Sequence, residues 1–277
     1  ITLHYKVKMN SDRAHATDRF DAVVGDVPDV GVRWAIGLPV LRVALVASAS
    51  VLTWLAVGGA ASGLGFPPPA MRASCAMLPV NIVCLALAAW LIRRGGGSLR
   101  MALGFAPRRL ATDALWGLLW LILMYVPFVA ALMLVVWLQH GDAMFVRMET
   151  LFVDASSIPD LDATTWSIIG IVVVVTFAPL NAPTEELVYR GIAQTTLTRH
   201  VATAVAVVIP AALFAAQHIW YAATPAAVLP FVAAFFVWGI CSALIYRRQR
   251  RLMPLVFVHA FVNLAFTVPV LFLPSLV

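Results

Sequence analysis

Seven apolar runs, each close to the ~20 residues a helix needs to cross hydrocarbon, follow one another through most of the chain. They cover approximately residues 39–58, 75–92, 114–138, 167–190, 201–221, 226–246 and 253–273, and the fourth can be extended toward residue 198. None alternates polar and apolar residues as a barrel strand must, so helix is the conformation that satisfies every backbone polar group in lipid. The expected fold is all-α: a polytopic membrane helical bundle of about seven transmembrane helices with a membrane-embedded cavity. Composition agrees, since 62% of the 277 residues are hydrophobic and 12% are charged. That charged share is roughly half of what a soluble domain carries. Soluble nucleotide-binding or barrel enzymes, disulfide-stapled secreted domains and disordered scaffolds are thereby excluded.

The loops set an orientation. Arg93, Arg94, Arg100, Arg108 and Arg109 lie between the second and third runs, Arg199 and His200 between the fourth and fifth, and Arg247, Arg248, Arg250 and Arg251 between the sixth and seventh. The segment 139–165 is acidic instead, with Asp142, Glu149, Asp154, Asp160 and Asp162. Basic loops stay in the cytoplasm, which predicts a cytoplasmic N-terminus and an outer C-terminus, in what reads as a bacterial plasma membrane. Trp116, Trp137, Trp166 and Trp220 fall near run ends, as interfacial anchors do. The net charge of +6 is thus a topology signal rather than a nucleic-acid surface, and no nucleic-acid partner is expected. Cys75, Cys84 and Cys241 are far apart in apolar surroundings and read as small packing residues.

Residues 1–37 are polar, hold five aspartates and lack a sustained apolar period; they are expected to be a disordered cytoplasmic tail. Met9 is an internal candidate start. Residues 38–277 show no internal repeat and are expected to form a single transmembrane domain, with its catalytic part at about 165–265.

The chain holds three glutamates, and two are neighbours in Asn181-Ala-Pro-Thr-Glu-Glu-Leu-Val-Tyr-Arg190. Carboxylates inside a membrane helix cost several kcal/mol unless paired or wet, which marks them as functional candidates. Glu186 and Arg190 stand at i,i+4 in the favourable order and fit a structural ion pair. Glu185 points about 100° away and has no evident charge partner. Pro183 and Thr184 suggest a break or re-cap of the helix at this point. Later runs carry Phe214 and His218 at i,i+4, then His259 and Asn263 at the same spacing. Each taken alone is ordinary interhelical glue. Together, a carboxylate, two imidazoles and a carboxamide can activate water and hold an oxyanion.

The ordered triple Glu-Glu-x-x-x-Arg, Phe-x-x-x-His, His-x-x-x-Asn on successive membrane segments resembles the CPBP group of intramembrane proteases, relatives of the type II CAAX prenyl endopeptidase. The resemblance implies that Glu185 activates the attacking water and that His218 helps to polarise it. It gives His259 and Asn263 the oxyanion hole, and Glu186 and Arg190 supporting roles. Phe214 opens the second motif.

Two mechanisms stay open. One is metal-free. In the other, Glu185, His218 and His259 bind Zn²⁺ and leave a fourth position for water. Asn263, a good oxyanion donor and a poor zinc ligand, favours the metal-free version. Depth adds a requirement. Glu185 meets the histidines only if its helix continues to about residue 198, with Gln194, Thr195, Thr196 and Thr198 lining a wet cavity open to the cytoplasm. The expected activity is intramembrane endopeptidase, in a cavity between the fourth to seventh segments. Its expected partners are membrane lipids and a peptide or protein substrate that is lipidated or membrane-bound. The rivals are a non-proteolytic scaffold or self-immunity protein of the same group, a proton-coupled transporter, and a polar cluster that only locks helices together.

Overall fold

A computed structural model describes residues 27–56, 70–152, 162–222 and 224–268. Among these, seven principal helices form: α1 (Val32–Ala56), α2 (Ala70–Arg94), α3 (Leu110–His140), α4 (Ala163–Glu186), α5 (Thr203–Gln217), α6 (Val228–Gln249) and α7 (Met253–Thr267). Six spans are long and apolar enough to cross a membrane, and α7 is a shorter apolar helix. The protein is a polytopic helical bundle. Short helices at Leu99–Ala102 and Met144–Leu151 join or extend the long ones. Residues 1–26 of the expected tail lie outside the described residues. The boundary itself moves, because α1 starts at Val32, inside the stretch read as tail.

The helices close a ring in the order α1–α2–α4–α7–α3–α6–α5, and α5 returns to α1. α4 leaves that ring at its C-terminal end. After Glu186 the chain winds as a π-helix over Leu187–Gln194 and then one α-turn, Thr195–Leu197. Every residue of the π segment is buried, and it touches α1, α2, α5 and α6. The bundle is therefore plugged by its own fourth span. Two small-residue contacts make the ring tight. A Cβ on Gly239 of α6 would stand 2.9 Å from Ala211 Cα of α5, and one on Gly117 of α3 would stand 2.7 Å from Phe257 Cβ of α7. Opposite the plug, α3 turns a broad apolar face outward, with Leu115, Ile122 and Val126 among its exposed residues. In a membrane protein that face meets lipid.

One sequence expectation is corrected here and a second is narrowed. No break or re-cap occurs at Pro183: α4 runs unbroken through Pro179 and Pro183. The Thr184 hydroxyl bonds back to the Leu180 carbonyl at 2.6 Å and caps nothing. The span does continue to Leu197, but only part of its polar set reaches the surface: Thr198 is exposed and Thr195 half-buried. Gln194 and Thr196 are buried. Gln194 Nε2 donates to the Ala243 carbonyl at 2.9 Å, and the Thr195 hydroxyl bonds the Arg190 carbonyl and Tyr246 Oη, each at 3.1 Å. Gln194 Oε1 and the Thr196 hydroxyl have no hydrogen-bond partner among the described residues.

The stretch before α1 is fixed to the turn that follows the plug. Arg199 Nη2 donates to the Val27 carbonyl at 2.9 Å, and His200 Nε2 lies 2.8 Å from Asp29 Oδ2. The Gly31 amide donates to Asp29 Oδ1 and holds that carboxyl below its ordinary pKa. Cys84 is buried and free, and Cys241 is free and partly buried.

Candidate functional site

Glu185 and Glu186 sit where α4 becomes the π-helical plug, and both are almost fully buried. A carboxylate at such a position needs a partner or it is neutralised. Adjacent residues on a helix point about 100° apart, so the two glutamates face different neighbours.

Glu185 has a charge partner after all, and it comes from α1. Arg42 Nη2 donates to Glu185 Oε1 at 2.6 Å. The same guanidinium holds Asn181 Oδ1 at 2.8 Å from Nη2, Asn81 Oδ1 at 3.0 Å from Nη1, and Gln217 Oε1 at 3.1 Å from Nε. Tyr189 Oη donates to that same Gln217 oxygen at 2.9 Å. One cation thus ties together α1, α2, α4 and the end of α5. Arg42 has no accessible surface. The expectation that Glu185 lacked a partner is corrected: its partner Arg42 comes from α1, outside the fourth to seventh segments.

Glu186 faces the other way. Its Oε1 is 3.4 Å from Arg190 Nη1, as the i,i+4 spacing predicts, and 3.1 Å from His259 Nδ1 on α7. The carboxylate accepts, so Nδ1–H donates and the ring orientation is set. His259 Nε2 is then 3.4 Å from Glu185 Oε2. That oxygen has no hydrogen-bond partner among the described residues. His259 therefore bridges the two carboxylates, one on each ring nitrogen. Arg190 also lies over the Phe214 ring, 4.5 Å from its centroid.

His218 starts the 3₁₀ turn that follows α5. Its Nδ1 donates to the Phe214 carbonyl at 2.7 Å, which leaves Nε2 as the free ring nitrogen. The imidazole stacks on Phe235 at 3.5 Å and 12°, and lies 4.7 Å from Phe214. Phe214 in turn meets His259 edge-on at 6.1 Å, so one aromatic ring spaces the two histidines. No hydrogen bond or ion pair joins His218 to Glu185 among the described residues. Asn263 stands one turn beyond His259 on the same face of α7. It is buried, and its Nδ2 has no hydrogen-bond partner among the described residues. His218 and His259 retain 8% and 6% of their surface, against none for Arg42. The cluster is thus sealed on the α1 side and thinly accessible on the histidine side.

A zinc ion does not fit this donor set. Among the described residues, no three His, Cys, Asp or Glu side chains gather as a metal would require. No step is derived through a metal.

Residues 164–265 match the family model described as Type II CAAX prenyl endopeptidase Rce1-like. That segment is similar to the Rce1-like family. The match spans all three motifs, from Glu185 to Asn263, and excludes Arg42 and Asn81. No curated protein and no solved structure gives a significant match. That family is one of endopeptidases.

Sequence reasoning found the Rce1-like motif residues and missed Arg42, Asn81, Asn181 and Gln217. A signal existed. Arg42 is an arginine inside the first apolar run, and an ionisable residue there marks a functional site by default.

Proposed function

We propose that this protein is an intramembrane endopeptidase in which Glu185 activates water and His259 with Asn263 holds the oxyanion. The observation that carries this reading is the state of three neighbouring groups. Glu185 Oε2 and Asn263 Nδ2 are buried without hydrogen-bond partners among the described residues, and His259 Nε2 stands 3.4 Å from the first of them. Buried polar atoms left unpaired are uncommon and call for an explanation. Here an acceptor and a donor stand open beside an oriented imidazole, as a hydrolytic step requires.

In that step, water adds its oxygen to the peptide carbonyl carbon and gives a proton to Glu185 Oε2. The carbonyl oxygen becomes an oxyanion, which Asn263 Nδ2–H and the His259 ring would stabilise. Collapse breaks the C–N bond, and Glu185 returns its proton to the leaving amine. His218, with its free Nε2, orients the water. Glu186 and Arg190 fix the ring of His259 and the packing of Phe214. The substrate is a peptide or protein at the membrane, and a prenylated C-terminal tail is the first class to test. The domain lies with its basic loops in the cytoplasm, so that the N-terminus is inside and the C-terminus outside.

The test uses the purified protein in vesicles, with prenylated and unmodified peptides and mass spectrometry of the products. Cleavage by the native chain and none by Glu185→Gln is the expected result; equal cleavage by both sinks the reading. A second reading is favoured by the Arg42–Glu185 pair: the cluster is a helix lock. It predicts that Glu185→Gln lowers thermal stability and that the native chain cleaves no peptide.

A further inference from the structure

We propose that Arg42 is the positioning residue of this site: from the first membrane helix it sets the carboxylate of Glu185 and the His218-bearing end of α5 against each other. The proposal rests on the hydrolytic reading and deepens it. Arg42 lies outside the segment matched by the family model, and no motif contains it.

The geometry points to this role because the guanidinium is spent on the two groups a water-activating pair would need to hold still. Nη2 takes Glu185 Oε1 at 2.6 Å, and Nε takes Gln217 Oε1 at 3.1 Å. Gln217 is the residue before His218. Its oxygen receives a second bond from Tyr189 Oη, and Tyr189 lies four residues after Glu185. The loop of contacts is closed: Glu185 to Arg42 to Gln217 to Tyr189 and back along the π-helix. Asn81 and Asn181 take two more of the guanidinium's N–H groups and stop it from rotating. A planar fork with five donors can hold four acceptors in fixed directions, and a lysine ammonium cannot.

The consequence for Glu185 is asymmetry. One oxygen is anchored, and the other, Oε2, is left toward His259. An unanchored carboxylate would rotate between both faces and present the wrong lone pair. Misplacing a reacting group by about 1 Å costs on the order of 100-fold in rate.

The test compares the native protein with Arg42→Met, Arg42→Lys and Asn81→Leu in vesicles. The last keeps the Arg42–Glu185 pair and removes one support of the guanidinium. Leu52→Ala, on the exposed face of α1, is the control. We expect kcat to fall by about 100-fold for Arg42→Met and about 10-fold for the other two, with KM within about twofold. The control should match the native protein. A native kcat in folded Arg42→Met overturns the proposal, and so does a loss carried by KM alone.

A second readout does not need turnover. The infrared difference between each protein and its Glu185→Gln counterpart isolates the Glu185 carboxylate band. That band should move in Arg42→Met and in Arg42→Lys; an unmoved band overturns the proposal even where no peptide is cleaved. Activity retained by Glu185→Gln would instead defeat the hydrolytic reading, with the band still deciding the role of Arg42.

Discussion

Glu185 and Glu186 are consecutive and almost equally buried, yet they face different parts of the molecule. Glu186 is served by the C-terminal helices: Arg190 one turn away and His259 across on α7. Glu185 is served by an N-terminal helix, through Arg42 at a separation of 143 residues. The first arrangement orients an imidazole, and the second orients a carboxylate. Adjacent positions on a helix can be assigned to separate tasks because 100° of rotation turns them toward separate walls.

That division can be broken experimentally, and the largest effect should come from its chemical side. Glu185→Gln should lower kcat by about 1,000-fold or more, within the range for loss of a general base, measured by product formation at saturating peptide. Asn263→Ala should cost about 100-fold to 1,000-fold in kcat, as loss of an oxyanion donor does. Its thermal midpoint should stay near native, because Nδ2 makes no hydrogen bond among the described residues.

On the orienting side, Glu186→Gln should reduce kcat by up to about 100-fold and should also lower stability, since it leaves Arg190 without its carboxylate. A Glu186→Gln enzyme more damaged than Glu185→Gln would reverse the assignment. The smallest effect is expected from a third pair, Arg251 and Asp113, 2.5 Å apart at the ends of the α6–α7 turn and α3. Arg251→Gln should lower the melting midpoint by several degrees, at about 2–4 °C per kcal/mol for a domain of this size, with kcat unchanged. A change in kcat would show that the turn is coupled to the site.

The same comparison explains what could be read from the sequence. Hydropathy located all seven helices, because lipid tolerates one backbone solution and the length is set by its thickness. The Glu186–Arg190 pair was legible because i,i+4 spacing is a local property. His259 and Asn263 were legible as one face of one helix. Which helices meet is not local: the ring order that brings α1 and α2 against α4 leaves no trace in spacing. Arg42 was therefore invisible as a partner, although its presence in an apolar run was itself a warning. Polar Gln194 suggested water for a related reason. Sequence shows that a group needs a partner and does not show whether that partner is solvent or the Ala243 carbonyl.

The π-helical stretch after Glu186 adds a constraint of another kind. A π turn holds more residues than an α turn, since its hydrogen bonds reach one residue further. Removing one residue between Leu187 and Gln194 would let the coil relax to α and shift the register of the residues inside the plug relative to the glutamates. Tyr189 and Arg190 would lose their bearings on Gln217 and Glu186 without any change in side-chain identity. Here the spacing of the chain matters as much as its letters, and a single-codon deletion should be as damaging as a substitution in the cluster itself.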